Sequence, residues 1–376
     1  MKGKYLLVVL LGALNFYCRA QYRCTFELFA PSLDPQGSVF ITGGHPALGN
    51  WQADAIHMKN VGNNLWTYFI ELDSPKSIEY KYTLGDWQHS IGNEAGAAVG
   101  NLTVMLSSSI SVRDTVLYWT SEKPASQRKS TIIGDLRRHL NMEYDGLLPR
   151  NVSVWLPPDY EKKSKTKYSV IYMHDAQNLF DEATSSFGNE WRVDETLDSL
   201  IRIGSIPPMI VVGIDNTRDR SDDYSEGKKG QLYMQFIVKK LKPFIDKNYR
   251  TLKDRKNTFV GGSSMGGLIS FMLLWEHNNV FSKAMCMSPA FKIQEINYVD
   301  NVAHKNKKRK MVAYFDNGGI GLEEDLQPGI DEMINTLRKK GYRNYKDFYF
   351  ILDKTAKHSE GDWSNRFPEA IKLLSK

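Results

Sequence analysis

Cysteine is scarce: the 376 residues hold three, Cys18, Cys24 and Cys286. Three thiols so far apart make no disulfide framework, and without C-x-x-C or H-E-x-x-H the usual zinc and redox signatures are missing. No apolar run reaches the roughly 20 residues of a membrane-spanning helix. Gly-X-Y triplets, heptads and fixed-period repeats are also lacking, which excludes collagen, coiled coils and solenoids. The excess of basic over acidic residues is small, 49 against 43. Apart from Lys305–Lys310, which reads as a solvated loop, the basic residues are scattered, so no nucleic-acid footprint emerges. With 41% hydrophobic and 24% charged residues the chain is not disordered, and its length suits about two domains. Such a chain must be held by its cores.

The first 20 residues read as a secretory signal peptide. Lys2 and Lys4 form a positive start, Tyr5 to Leu14 an apolar stretch, and Cys18 and Ala20 the small residues before a cut ahead of Gln21. A lipoprotein reading through Cys18 is disfavoured by bulky Asn15-Phe16-Tyr17. The expected product is secreted or periplasmic and has no membrane attachment after cleavage.

Two unlike halves follow. Residues 21–119 carry short β-rich runs at Cys24–Phe29, Ser38–Thr42, Leu65–Ile70, Ser77–Thr83, Leu102–Leu106 and Thr115–Tyr118, spaced as in an immunoglobulin-like β-sandwich. Residues 120–130 are polar and read as a linker. From residue 131 to 376, apolar runs at Ser153–Pro157, Ser169–Met173, Met209–Ile214, Thr258–Val260, Ala284–Met287, Met311–Phe315 and Phe348–Leu352 read as buried parallel strands. Helical periodicities at Arg192–Ile203, Gly230–Asn248, Gly267–His277, Gly329–Lys340 and Arg366–Leu374 alternate with them. That alternation predicts an α/β domain, its mostly parallel sheet covered by helices on both faces.

One motif in the second half carries chemistry. Residues 257–268, NTFVGGSSMGGL, run an apolar strand into Gly262-Ser263-Ser264-Met265-Gly266 and then into an apolar helix. This is G-x-S-x-G in its strand–turn–helix context, so Ser264 is the candidate nucleophile and the Met265 N–H a candidate oxyanion donor. A phosphate loop would need a following Lys-Ser/Thr, and none follows. Three histidines come after Ser264: His277 closes the next helix, His304 sits in the basic loop, and His358 follows the last strand, where the fold places its general base. Carboxylate candidates after the strand Met311–Phe315 are Asp316, Glu323, Glu324 and Asp325; Glu323 is preferred, with Asp316 as the alternative acid. The second oxyanion N–H is expected at Ala176 or Gln177, just past the strand Ser169–Met173.

With these residues in place, residues 131–376 resemble esterases of the α/β-hydrolase superfamily, the group of enterochelin-esterase-like and carbohydrate esterase family 1 enzymes. The resemblance rests on VSVWLPPDY (152–160), HDAQNLF (174–180), GIDN (213–216), GGSSMGGL (261–268), FDNGGIGLE (315–323) and HSEGDW (358–363). It departs at Ala176, where glycine is usual, and at Glu323, where aspartate is frequent. The first half resembles a starch-binding domain of carbohydrate-binding module family 20 through VFITGGHPALGNW (39–51), Trp66, EYKYTLGDW (79–87) and Asn93. That resemblance implies a sugar site at Trp51, Lys81, Trp87 and Asn93. Independently, Trp51 and Trp87 each follow a turn-forming Gly by two residues, a common place for an exposed aromatic, whereas Trp66 in a β-run reads as core.

The expected function is a secreted serine esterase that cleaves acyl groups from polysaccharides or oligosaccharides, anchored by a starch-like glycan module. No metal or organic cofactor is implied. The alternative is a glycan-binding protein whose hydrolase half is a weakly active or inactive scaffold; siderophore-ester hydrolysis would share the chemistry but leave the sugar module without a purpose.

Overall fold

The computed structural model describes residues 22–74, 76–93, 98–120, 130–186, 189–305 and 310–376. The signal-peptide stretch, most of the expected linker and the middle of the basic run lie outside these residues. No described helix is long and apolar enough to cross a membrane.

The N-terminal half is a sandwich of β1 (Tyr22–Phe29), β2 (Phe40–Gly43), β3 (Ile56–His57), β4 (Lys59–Gly62), β5 (Leu65–Leu72), β6 (Lys76–Thr83), β7 (Ile91–Gly92), β8 (Leu102–Leu106), β9 (Ile110–Thr115) and β10 (Tyr118–Trp119). One sheet has the order β4-β5-β1-β9 and the other β3-β2-β6-β8, with β7 and β10 paired at the side. Alternation in β1 and β6 turns Cys24, Phe26, Leu28, Ile78, Tyr80 and Tyr82 inward. Trp66 is fully buried among them and donates its indole N–H to Gly37 O at 3.2 Å. The strand expected at 115–118 lies instead at Ile110–Thr115, parallel to β1. Its alternation was hidden by Asp114, whose carboxylate accepts the Tyr80 and Tyr82 hydroxyls at 2.9 and 2.7 Å.

The C-terminal half contains β11 (Asp135–Tyr144), β12 (Leu147–Leu156), β13 (Ser169–His174), α1 (Val193–Arg202), β14 (Met209–Ile214), α2 (Arg220–Asp223), α3 (Lys228–Gln235) and α4 (Lys242–Asn248), the last two joined by a π-helical stretch. There follow β15 (Thr258–Ser263), α5 (Met265–Glu276), β16 (Lys283–Met287), the hairpin β17 (Lys292–Ile293) and β18 (Ile296–Asn297), α6 (Tyr298–His304), β19 (Val312–Asn317), α7 (Leu322–Lys339), β20 (Phe348–Leu352) and α8 (Glu360–Ser375). Eight strands form one sheet in the order β11-β12-β14-β13-β15-β16-β19-β20. Only β12 runs against the rest, so the run expected as a parallel strand at 153–157 is antiparallel. Strand β11 escaped the sequence reading because it is an edge strand with mostly half-exposed residues.

Buried on both faces, β13 sends Val170 and Tyr172 into one core, shared with α3 to α7, and Ile171 and Met173 into the other, shared with α1 and α8. In such a sheet, loops beyond the C-terminal strand ends hold the chemistry. Here these loops begin at Asp175, Asp215, Ser264, Ser288 and Gly318, and at Asp353 after the last strand.

Candidate active site

Ser264 sits between β15 and α5 with φ +56° and ψ −123°, a strained conformation for a residue with a Cβ. The bend is held on both sides: its N–H donates to Met287 O at 2.9 Å, and its carbonyl accepts from Ala290 N at 3.1 Å. Close crossing explains the flanking glycines, since a Cβ on Gly262 would stand 2.9 Å from Gly266 backbone atoms. Met265 opens α5, where the first N–H groups have no intrahelical acceptor, so its N–H and the positive helix end are available to an anion.

The exit of β13 packs against this bend: a Cβ on Gly266 would meet Asp175 Oδ2 at 3.2 Å. Asp175 adopts a left-handed conformation and opens the single turn Ala176–Asn178, so Ala176 and Gln177 directly follow the residue that packs against the elbow. Asp175 is fixed by a bidentate pair with Arg220 (Nε–Oδ1 2.8 Å, Nη2–Oδ2 2.9 Å) and by Asn216 at 2.6 Å. Burial opposes its ionisation, but Arg220 overcomes this and keeps the carboxyl below its ordinary range. Neighbouring His174 is fully enclosed; burial pushes it down to about 3, so it stays a neutral partner of the Tyr233 hydroxyl, 2.8 Å away.

The two candidate acids take different partners. Asp316, at the end of β19, faces Arg366 at 3.0 Å and accepts Ser288 N–H at 3.0 Å; burial pushes it up to about 6 despite Arg366. Glu323, in the first turn of α7, places Oε1 3.5 Å from His358 Nδ1. The same oxygen accepts the Ser288 hydroxyl at 2.7 Å. Burial works against the Glu323 charge, but His358, Ser288 and Arg366 together hold its carboxyl below the ordinary value. Glu324 and Asp325 complete the first turn, with Glu324 exposed. Among the described residues no hydrogen bond joins the Ser264 hydroxyl to His358; catalytic contacts of this kind often close only around substrate. His277 caps the far end of the 12-residue α5 and His304 ends α6 on Asp300 O, so neither stands beside the elbow loop.

Several site residues had no signal in the sequence. Ser288 gathers donors from Trp363 Nε1 and Arg366 Nη2, each at 3.0 Å, while its hydroxyl points to Glu323. Glu360, two residues past His358, is buried, accepts Asn178 Nδ2 at 3.1 Å and is pushed by burial up to about 7. Arg220 at the start of α2, Ser288 just past β16 and Arg366 within α8 are brought together from distant parts of the chain, which no local spacing reveals. Glu360 alone lay close in sequence to a chosen residue, two positions past His358.

In the sandwich, Trp51 and Trp87 are partly exposed neighbours with ring centroids 6.4 Å apart and planes at 40°. Asn93 is exposed. Lys81 is not at the surface with them: it is fully buried, donates to Val99 O, and is lowered by burial to about 8 against the pull of Glu360. The sheet face carrying it is turned toward the α/β half. There Glu79 Oε1 accepts Leu322 N–H at 3.1 Å and Gln294 Nε2 donates to Gly44 O. A crevice lined by Gly44, Glu79, Gln294, Gly321, Leu322 and Asp325 marks the seam; it adjoins the helix bearing Glu323 rather than Ser264 itself.

The sequence model of the family described as "Putative esterase" matches residues 148–374, well over half the chain. The chain belongs to that esterase family. It is a carboxylic ester hydrolase of the α/β-hydrolase fold, and a starch binding domain matches residues 21–109 of the same esterase. The esterase is 27% identical over 204 residues to an endo-1,4-β-xylanase/feruloyl esterase of Xylanibacter ruminicola; the match covers 52% of this chain and 25% of that one. Among solved structures, a ferulic acid esterase superposes with TM-score 0.52 at 19% identity over 64% of this chain and 98% of its own. The enterochelin esterase of Shigella flexneri superposes with TM-score 0.56 at 13% identity, covering 94% of this chain and 92% of its own. At these identities the structures share a fold, and the second shares it across both halves of the esterase.

Proposed function

We propose that this protein is an exported serine esterase that removes acyl groups from a glycan held by its N-terminal sandwich. The observation that carries the reading is the carboxylate of Glu323 at 3.5 Å from His358 Nδ1, on the same sheet edge as the strained Ser264. His358 Nε2 takes the Ser264 proton as Oγ attacks the ester carbonyl, and Glu323 holds the ring with Nδ1–H toward itself and balances the imidazolium. The carbonyl oxygen gains its charge facing the Met265 N–H and that of Ala176 or Gln177. Collapse passes the His358 proton to the departing alcohol oxygen; water, deprotonated by the same ring, then frees the acid and restores Ser264.

Carbohydrate as the alcohol side is supported by the starch-binding match and by the paired rings of Trp51 and Trp87. Trp51 Nε1 lies 3.2 Å from a Cβ position on Gly44, whose carbonyl is held by Gln294 of the other half. A sugar stacked on this pair would therefore sit near the seam between the two halves. Export rests on the basic, apolar and small-residue pattern of the first 20 residues.

The test compares 4-nitrophenyl acetate with acylated oligosaccharides of xylan and starch type. Wild type is expected to hydrolyse both classes and Ser264→Ala neither. Trp51→Ala with Trp87→Ala is expected to raise KM about tenfold, ~1.4 kcal/mol, for the oligosaccharide only. Equal rates for wild type and Ser264→Ala would eliminate the enzyme mechanism; an unchanged oligosaccharide KM would eliminate the glycan site.

A further inference from the structure

A second group of carboxylates lies away from the catalytic edge, where α1 begins. Glu190 and Asp194 are buried, at 4% and 0% exposure, and Glu195 is half-buried beside them. Each uses one oxygen locally. Glu190 Oε1 accepts the Thr131 hydroxyl at 2.5 Å, Asp194 Oδ2 accepts Ile133 N–H at 2.6 Å, and Glu195 Oε1 faces Arg192 Nε at 3.2 Å. The other oxygens, Glu190 Oε2, Asp194 Oδ1 and Glu195 Oε2, are all buried and meet no donor. One oxygen from each of the three residues lies within 4.8 Å of the others.

Three carboxylates are costly to enclose at this spacing as bare anions, because one donor apiece, with the exposed Arg192 the only cation among them, offsets their desolvation and mutual repulsion only in part. A cation or shared protons must fill the space. The donor set is all hard oxygen, without His or Cys, which disfavours zinc and other softer metals. Calcium binds oxygen at roughly 2.3–2.6 Å, so ligands on opposite sides stand just under 5 Å apart; magnesium at roughly 2.0–2.1 Å asks for a tighter set. We propose that Glu190, Asp194 and Glu195 form a structural calcium site, with water completing the coordination.

The site would have mechanical consequences. Thr131 and Ile133 belong to the segment entering the α/β half. Between the acids, Trp191 N–H donates to Asn178 O at 2.8 Å and Val193 N–H to Leu179 O at 3.0 Å. A bound cation would thus clamp the entry segment, the start of α1 and the turn that follows Ala176 and Gln177.

The experiment uses the full chain, stripped with EDTA, exchanged into metal-free buffer at pH 7.5 and titrated calorimetrically with calcium chloride. One calcium per chain is expected, with Tm about 5 °C higher at a hundredfold excess over Kd. Glu195→Gln, whose other oxygen meets an exposed arginine, is expected to fold and to bind calcium at least tenfold more weakly; Asp194→Asn provides the second variant. No heat of binding and identical Tm with calcium or EDTA would overturn the proposal in favour of shared protons. Calcium binding undiminished in both variants would overturn it by placing the ion elsewhere. Neither readout depends on esterase activity.

Discussion

Glu79 Oε1 and the Leu322 backbone N–H meet at 3.1 Å across the seam, so a side chain of the sandwich caps the helix that carries Glu323 one residue later. The second Glu79 oxygen is steadied by Asn101 Nδ2 at 3.3 Å. An anion at a helix N-terminus satisfies a free donor and opposes the macrodipole. The sandwich therefore helps to hold the helix turn that carries Glu323, the candidate acid.

Removing this cap should loosen the first turn of α7. Glu79→Ala is expected to cost ~1 kcal/mol in stability and to lower kcat on 4-nitrophenyl acetate severalfold, with KM little changed. Glu79→Gln keeps an acceptor and should recover most of the kcat. Denaturant melts and steady-state kinetics of the three proteins check this; unchanged kcat in Glu79→Ala would show the contact to be passive.

The acid assignment separates by variant. Glu323→Gln should keep the fold and lower kcat on the order of 10³–10⁴, because an amide cannot balance the imidazolium. Asp316→Asn should act mainly on stability, since it removes the nearer of the two carboxylates on the buried Arg366 guanidinium and leaves only Glu323 at 3.8 Å, at ~3 kcal/mol. Circular-dichroism melts and activity measured on the same preparations distinguish the two; the reverse pattern would transfer the role to Asp316.

The bend at Ser264 is strained for a residue with a Cβ, and glycine would relieve it. Ser264→Gly, free to take φ +56°, is expected to be more stable than wild type by about 1 kcal/mol while hydrolysing nothing above background. A thermal melt beside an activity assay suffices, and a lower Tm would show that the hydroxyl stabilises more than the bend costs.

Glu360 makes stability depend on pH. Its folded value of about 7 lies above its ordinary 4.5 because of burial. The folded state therefore holds a proton that the unfolded chain releases, and the stability gained is complete below pH 4.5 and lost as pH rises through 7. Glu360→Gln removes this loss, worth up to ~3 kcal/mol, so its melts between pH 5 and 8 should fall less steeply than wild type. Parallel slopes would mean that the carboxyl is ionised throughout.

Much of this was legible locally. The elbow could be read because strand, turn and helix are consecutive, and Trp66 could be separated from Trp51 and Trp87 by its place inside a β-run. Alternation through Ser77–Thr83 put Lys81 off the sandwich core, but nothing in that stretch announced the second half that covers it. Helices α7 and α8 begin at Leu322 and Glu360, well before the expected Gly329 and Arg366. Pro328 and Pro368 inside them mimic helix starts, while the acidic first turns and the Ser359 cap (hydroxyl to Asp362 N–H, 3.3 Å) mark the true ones. Position along the loop favoured Glu323 over Asp316 only narrowly, because what separates their surroundings includes Arg366, a partner 50 residues beyond Asp316.

The only two described thiols, Cys24 in β1 and Cys286 in β16, lie in separate cores and are fully enclosed. Burial raises both, Cys24 to about 11, so neither offers a thiolate near neutrality. Maleimide dyes should therefore pass both of these thiols by, and with Cys18 replaced by serine a cysteine engineered on either side of the seam would be labelled alone. A fluorophore placed there could report directly on whether the two halves part during turnover.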